Sequence, residues 1–537
     1  MQYTTELERG RWRKATMLIV SGLALVAIAI AVSACGGSSD TTATPAASGS
    51  AGAGEPVVGG TLNVGIQPTG EMDPHFTNTM SQLKVNQQVY SWLVRLSAKW
   101  EVAPDIATAW EGSADAKTWT FTIRTDAKFN NGDPVTADDI VYTYDRARDP
   151  KLGTAMVSIF QNITSVTAPD ATHVVFEMKA PNPEFPKDAA DFHAAILSAS
   201  VKDPGAEFVS SGPYFIKEYK AEDRIVLERN PYYYAKDANG TQLPYLDSIV
   251  YHIVPDTGSL IDGLVGGQLD VVQDLTVPQA DRVKADPNLQ LFVSLANTAY
   301  TLHLRSDAGH PAADPKVRLA LRMGTDYQGL ADLVRPGLTT VGNGTIVGPL
   351  YGAYYWDQTP VYDPEGAKKL LAEAGKSDLK MKVYVADDAD MPEFAVAWQE
   401  QMKKIGVTVD IQKSPPDVYY GTGPESWLEN DFGVTTWVTR ATPLVFWQFS
   451  YVTDAIWNEG HWSDPEFDSI VKKIGSEVDE AKRAELYQQA QQILWDRGPF
   501  VILAMPMGAT GATKKLMNFV PWPDGNLSLL EQVWLAN

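Results

Sequence analysis

One cysteine in 537 residues leaves no intrachain disulfide to form, so packing alone must hold whatever this chain folds into. Its seven histidines are scattered from His75 to His461 without the short spacings of zinc sites. Gly-x-Ser-x-Gly, His-Glu-x-x-His and the Gly-x-x-x-x-Gly-Lys-Ser/Thr phosphate loop are all absent. Paired carboxylates for glycoside chemistry stay open, because 66 acidic residues offer many chance pairs. Positive charge is short, at 44 Lys and Arg, and the net charge of −22 favours solubility and opposes binding to nucleic acid or anionic lipid. After residue 34 no apolar run is long enough to span a bilayer. The sequence thus implies no catalytic centre, no metal site, no cofactor and no nucleic acid partner.

What the chain has instead begins at its N-terminus. Arg9, Arg11, Arg13 and Lys14 precede an apolar run from Met17 to Val32, which ends in Val32-Ser33-Ala34 before Cys35. This is the layout of a secretory signal, and the last four residues resemble a bacterial lipobox, where cleavage frees the cysteine and its thiol carries lipid (palmitate). The alternative is a transmembrane anchor, but a run of about 16 residues is short of the ~20 a span requires. Residues 36–56 are Gly, Ser, Ala, Thr and Pro with almost no apolar bulk, a flexible tether spanning roughly 25 Å. The expected location is the extracytoplasmic side of the cell membrane, at the surface or in the periplasm, held by lipid only. Removing 34 of 537 residues leaves 503, and since that segment carries four basic and two acidic residues, the mature chain stands at −24. Single cores stop growing near 250–300 residues, so at least two lobes are expected.

Strand-like and helix-like segments alternate through the body. Thr118–Arg124, His173–Met178 and Arg224–Glu228 read as half-buried strands. Thr136 reads as the N-cap of a helix with Asp138 and Asp139 in its first turn, ending before Pro150. Asp363-Pro364 opens a helix closing at Gly375, followed by a strand over 379–385; Glu393–Ile405 and Asp479–Arg497 are further helices, the former followed by a strand over 407–411.

Several segments, in one order from residue 58 to 505, resemble the extracytoplasmic solute-binding proteins of oligopeptide, dipeptide and nickel ABC importers (family 5). They include Gly59-Gly-Thr-Leu-Asn-Val64, Asp73-Pro-His75, Pro104-Asp-Ile-Ala-Thr-Ala-Trp110 and Phe129-Asn-Asn-Gly-Asp-Pro134. Ser211-Gly-Pro-Tyr-Phe215 with Glu228-Arg-Asn-Pro231, Val317-Arg-Leu-Ala320 and Asp363-Pro-Glu-Gly-Ala-Lys-Lys-Leu-Leu371 continue the series. The resemblance implies an α/β fold, a two-lobe periplasmic-binding-protein-like clamshell (type II, cluster C-like) with an extra small domain on the first lobe. It sets residues 1–34 as signal, 35–57 as lipidated cysteine and tether, 58–97 as lobe I and 98–205 as the extra domain. Residues 206–305 return to lobe I, 306–500 form lobe II, and 501–537 go back to lobe I. The implied partners are a peptide or other small solute and the ABC permease and ATPase complex, with the protein itself a monomer and not an enzyme. A sensory accessory protein using the same cleft, or a secreted hydrolase on this fold, are the alternatives.

Nine aromatics stand among the 36 residues from Trp427 to Trp462, 25% against 10% for the whole chain, about half of them expected in the core. Within this stretch, peptide-binding relatives carry Trp-x-x-Asp followed by Pro, the Asp holding the ligand's α-ammonium. Here Trp437-Val-Thr439-Arg440-Ala-Thr-Pro443 keeps the Trp and Pro but has Arg440 at the acidic position. A guanidinium pairs with carboxylate or phosphate, not ammonium. Arg440 therefore contacts an anionic group of the ligand, pairs with a protein carboxylate, or faces solvent. Trp437 and Thr439 beside it, Asn78 after the Asp73-Pro-His75 segment, Asn297 and Tyr300 before the crossing near Arg305, and Asn458 are the further ligand-binding candidates. Asn78 also reads as a turn residue, and Asn458 as part of a packed loop ahead of the helix start at Asp464-Pro465.

If Cys35 is the lipid site, Cys35→Ser abolishes labelling by a fatty-acid probe and releases the protein or leaves its precursor uncleaved. Membrane retention with the signal still attached would instead establish a transmembrane anchor.

Overall fold

The computed structural model describes residues 54–536 apart from Glu71, Asn78, Ala155 and 524–528; Cys35 and Asn78 lie outside the described residues. Among the described residues, no helix is long and apolar enough to cross a membrane.

Two sheets organise the body. The first has seven strands in the order Leu289–Ser294, Gly508–Thr513, Val271–Val272, Thr61–Ile66, Ser248–Ile253, Arg224–Arg229 and Tyr214–Lys220. The second has six: Thr339–Thr340, Phe500–Pro506, Ala299–Leu304, Phe432–Trp437, Lys380–Ala386 and Thr408–Ser414. Lys380–Ala386 runs parallel to both of its neighbours, and Ala299–Leu304 antiparallel to both of its own. Helices Pro315–Met323, Pro364–Glu373, Met391–Lys404 and Glu480–Arg497 belong to this second lobe. All six residues of Ala299–Leu304 are buried, as a strand covered on both faces must be.

A four-stranded antiparallel sheet, Ala107–Gly112, Thr118–Ile123, His173–Met178 and Ile163–Asp170, forms the small domain. Its aromatic centre packs Phe121 and Phe185 against Phe176, with centroids at 5.5 and 4.8 Å, and its apolar core is continuous with that of the first lobe.

Local chemistry starts the helices. Thr136 and Asp139 form a reciprocal capping box at Ala137–Ala147, worth about 1 kcal/mol. Asp363 accepts from Gly366 N at 2.8 Å, Asp464 from Phe467 N at 3.0 Å and Asp479 from Lys482 N at 3.1 Å, each at the predicted helix start. The Ser211–Phe215 and Glu228–Pro231 motifs meet in space: Asn230 Nδ2 donates to Gly212 O at 2.9 Å, and Asn230 N to Pro213 O at 2.9 Å. Gly212 itself lies so close to the main chain of residues 89–90 that a Cβ there would stand 2.6 Å from the Val89 carbonyl carbon.

The borders between lobes differ from the expected 305/306 and 500/501. Both Ala299–Leu304 and Phe500–Pro506 belong to the second sheet, so the chain crosses at 295–298 and at Met507. The change between sheets is a break in hydrogen bonding, invisible in two strands that are apolar on either side of it.

The small domain also touches the second lobe. Tyr487 OH donates to Glu184 Oε2 at 2.6 Å, and Lys187 Nζ sits 4.7 Å over the Tyr354 ring. Beside this contact, burial pushes the Asp188 carboxyl up from its ordinary 3.8 to about 7, with Glu184 and Asp191 adding like charge.

Two outcomes follow from packing and burial. Gly212→Ala forces backbone apart and lowers stability by about 1–3 kcal/mol in urea unfolding. For Asp188, the folded protein keeps the proton up to about pH 7 while the unfolded chain releases it near 4. Its contribution is therefore present below about pH 4 and lost as pH rises through 7. Asp188→Asn gains stability relative to the parent at pH 8, and the gain fades at pH 4; an equal difference at both would show an unshifted carboxyl.

Candidate functional site

Strand Phe432–Trp437 ends at the face of the second lobe that meets the first, and the segment after it carries Thr439, Arg440 and Ala441. Tyr351 fixes this segment, donating from its hydroxyl to Arg440 O at 2.8 Å and accepting from Arg440 N at 3.3 Å. Asn297 fixes it from the crossing, its N donating to Thr439 Oγ1 at 2.9 Å. Ala441 packs into the apolar core of the first lobe.

The Arg440 guanidinium has no hydrogen bond or ion pair among the described residues, and its Nε is buried without a partner. Burial lowers its pKa from the ordinary value, opposed by the charge of Asp191. Its guanidinium carbon lies 6.0 Å from the Phe449 ring centroid. Among the described residues no carboxylate forms an ion pair with Arg440, and the residue is half-buried.

Asp191 comes from the other side of the seam, three residues after the helix Phe185–Asp188. It is 8% exposed. Its Oδ1 accepts from His193 N at 3.0 Å and meets His193 Nδ1 at 2.8 Å, while Oδ2 has no partner among the described residues. Asp191 and Thr439 together line a cavity of about 50 Å³ between the lobes, walled by Tyr90, Trp92, Trp100 and Phe192. That is room for a few waters, so a solute enters only when the lobes part.

A larger groove of about 950 Å³ lies alongside, between the small domain (Glu184, Asp188) and the second lobe (Phe449, Ile456, Lys472). The smaller cavity is the better candidate despite its size, because residues of both lobes line it, Asp191 from one side and Thr439 and Ala441, the neighbours of Arg440, from the other. Phe449, which lines this groove, is the ring beside the Arg440 guanidinium.

The other sequence candidates divide. Thr439 lines the cavity. Trp437 is 4% exposed and gives its indole N–H to Glu459 Oε1 at 2.9 Å, so it is core rather than cavity wall. Tyr300 is buried edge-on to Phe394 at 5.8 Å. Asn297 is fully buried, with Nδ2 on Ile346 O at 2.8 Å and Oδ1 accepting from Gly348 N; it positions the Thr439 segment. Asn458 holds its own loop, with Nδ2 on Trp462 O at 2.7 Å and Oδ1 accepting from Trp462 N at 3.0 Å. Of the nine aromatics, six are buried and Trp427, Phe449 and Trp457 are half-buried. Those three form a ladder, with Trp427–Trp457 at 6.3 Å and Phe449–Trp457 at 5.1 Å, leading to Arg440.

Sequence reasoning missed Asp191, 249 positions before Arg440. The reversed charge at Arg440 was the one signal that called for an acidic counterpart, but nothing local to residues 185–193 marks which of several carboxylates faces the seam. Among the described residues, no group of three or more His, Cys, Asp or Glu is placed to hold a metal ion.

A family model described as bacterial extracellular solute-binding proteins, family 5 Middle, matches residues 101–457. The chain is 25% identical to the probable D,D-dipeptide-binding periplasmic protein DdpA of Escherichia coli (strain K12), over 87% of this chain and 91% of that one. It is 26% identical to the oligopeptide-binding protein AppA of Bacillus subtilis (strain 168), over 98% and 99% respectively. The fold superposes on the crystal structure of the ABC transporter substrate binding protein CtaP from Listeria monocytogenes with a TM-score of 0.80 at 21% identity, covering 89% of this chain and 100% of that one. The two sheets and the added small domain are the type II periplasmic-binding-protein clamshell. With the family model spanning most of the body and relatives matched nearly end to end, this chain belongs to the bacterial extracellular solute-binding proteins, family 5.

Proposed function

We propose that this protein captures a peptide or peptide-like solute outside the cytoplasm, encloses it between its lobes and delivers it to an ABC permease. Cys35 carries the lipid that holds it to the membrane. The observation that carries the reading is the unpartnered Arg440 guanidinium at the seam, beside a cavity lined by both lobes. A half-buried cation with no hydrogen-bonded counter-ion carries a desolvation cost, and a ligand carboxylate or phosphate offsets it. Relatives named as dipeptide- and oligopeptide-binding proteins support the solute class.

Binding needs no covalent step. The open and closed arrangements interconvert, and a ligand touching both lobes shifts the balance by its extra affinity for the closed one. The half-buried Trp427 and Trp457 stand close enough to the seam to report that shift.

A screen of peptides, amino-acid conjugates and phosphorylated solutes by thermal unfolding gives at least one hit, with stabilisation of about 2.7 kcal/mol at 100 times its dissociation constant and a change in tryptophan emission. Arg440→Ala weakens that ligand about tenfold to a hundredfold, as loss of a charge-assisted hydrogen bond requires. Arg440→Lys restores only part of this, because an ammonium lacks the planar fork. Neither variant lowers the stability of the ligand-free protein. Unchanged affinity with a large loss of ligand-free stability would make Arg440 structural, and turnover of a bound compound would overturn the binding-protein reading.

A further inference from the structure

We propose that Glu184 is the latch of the clamshell: its carboxylate, carried by the small domain, docks on Tyr487 of the second lobe and holds the lobes together before any solute is bound. This rests on the lobe-closure reading above and gives the added domain a part in it.

The contact joins two separately packed bodies. Phe185, next to Glu184, belongs to the apolar core shared by the small domain and the first lobe, whereas Tyr354 and Tyr487 belong to that of the second. Glu184 is divided between the two sides: Oε2 accepts from Tyr487 OH at 2.6 Å, and Oε1 lies 3.5 Å from Lys187 Nζ. Lys187 in turn reaches across to the Tyr354 ring at 4.7 Å. Glu184 is 5% exposed and Tyr487 fully buried, so water competes little for the bond. Yet the joint is polar where both cores are apolar, and the groove of about 950 Å³ opens directly beside Glu184. When the lobes part, a carboxylate, an ammonium and a phenol regain water, so separation costs one charge-assisted bond rather than a packed core.

Both halves of the latch are held from behind. Glu184 N donates to Asn182 Oδ1 at 3.2 Å, and Asn182 O accepts from Trp119 Nε1 at 3.0 Å in the small domain's sheet. Tyr487 stacks on Tyr354 with centroids 4.3 Å apart, and Arg483 Nε donates to Tyr354 OH at 3.2 Å. The latch is also continuous with the seam. Tyr354 ends the short helical segment Pro349–Tyr354, in which Tyr351 holds the Arg440 backbone, and Gly348 just before it donates to Asn297 in the crossing. On the other side, Ala190, Asp191 and Phe192, which wall the cavity, follow the helix that Glu184 caps. Engaging Tyr487 therefore brings the two walls of the cavity together, which makes Glu184 a positioning residue for capture and not a contact of the solute.

Amide hydrogen exchange of the solute-free full chain tests the latch, and since no solute takes part the outcome is independent of which solute class binds. Loss of a charge-assisted hydrogen bond shifts the open–closed balance about tenfold to a hundredfold. In Glu184→Ala and in Tyr487→Phe, amides of 185–192 and of 349–356 exchange faster by that factor, while the strands Ser248–Ile253 and Lys380–Ala386 keep their native rates. The double variant exchanges no faster than the faster single one, because either change alone releases the same latch. Acceleration confined to the substituted side would make each residue a local support of its own lobe, and acceleration throughout the chain would mark a general loss of stability. Either result, unchanged exchange, or effects that multiply in the double variant overturns the latch while leaving the solute-binding reading intact.

Discussion

The two lobes depend on one two-stranded ribbon. Leu289–Ser294 pairs antiparallel with Gly508–Thr513 in the first sheet, and Ala299–Leu304 pairs antiparallel with Phe500–Pro506 in the second. The chain therefore crosses between sheets twice, side by side, at 295–298 and at Met507. A hinge made of two adjacent crossings is a natural place for the lobes to bend. Asn297 lies in this crossing and spends its side chain and its N–H on Ile346, Gly348 and Thr439. The hinge is thereby tied to the residue next to Arg440, so that whatever engages the guanidinium also bears on the bend.

The treatment of buried arginines elsewhere in the second lobe makes Arg440 stand apart. Arg318 is 4% exposed and donates to the carbonyls of Ala312, Ala313, Arg497 and Gly498 at 2.7–3.2 Å. Arg322, fully buried, donates to Gly498 O at 2.8 Å and Phe500 O at 3.1 Å. The Arg497, Gly498 and Phe500 carbonyls lie at and just beyond the C-terminal end of the helix Glu480–Arg497, where the helix dipole is negative, so a structural cation there finds both charge and acceptors. Arg322 still leaves its Nε and Nη2 buried without a partner, so Arg440 differs in degree: among the described residues no carbonyl accepts from any of its guanidinium nitrogens, and the charge of Asp191 acts on it through space.

Much of the architecture was legible because it is local. Asp363, Asp464 and Asp479 announce their helices by side chains that reach only three residues, and Thr118–Ile123 alternates because one face is buried. The motif pair at Ser211 and Asn230 was visible as two strings of residues, and its cause, an amide reaching a carbonyl 18 positions away, appears only in three dimensions. Trp437 was misread for a related reason. Trp437 is the last residue of its strand, and its ring lies in the second lobe's core with the indole N–H on Glu459, a partner 22 positions away that the local sequence does not mark. Asp191 was beyond reach, since its place opposite Arg440 depends on how two lobes meet.

The crystal structure of a complex with a solute that copurifies or is captured from the screen tests the central claim most directly. The account predicts the solute enclosed between the lobes, with an anionic group within hydrogen-bonding distance of the Arg440 guanidinium. A solute seated in the outer groove between the small domain and the second lobe, with Arg440 paired to a protein carboxylate in the closed form, would contradict it.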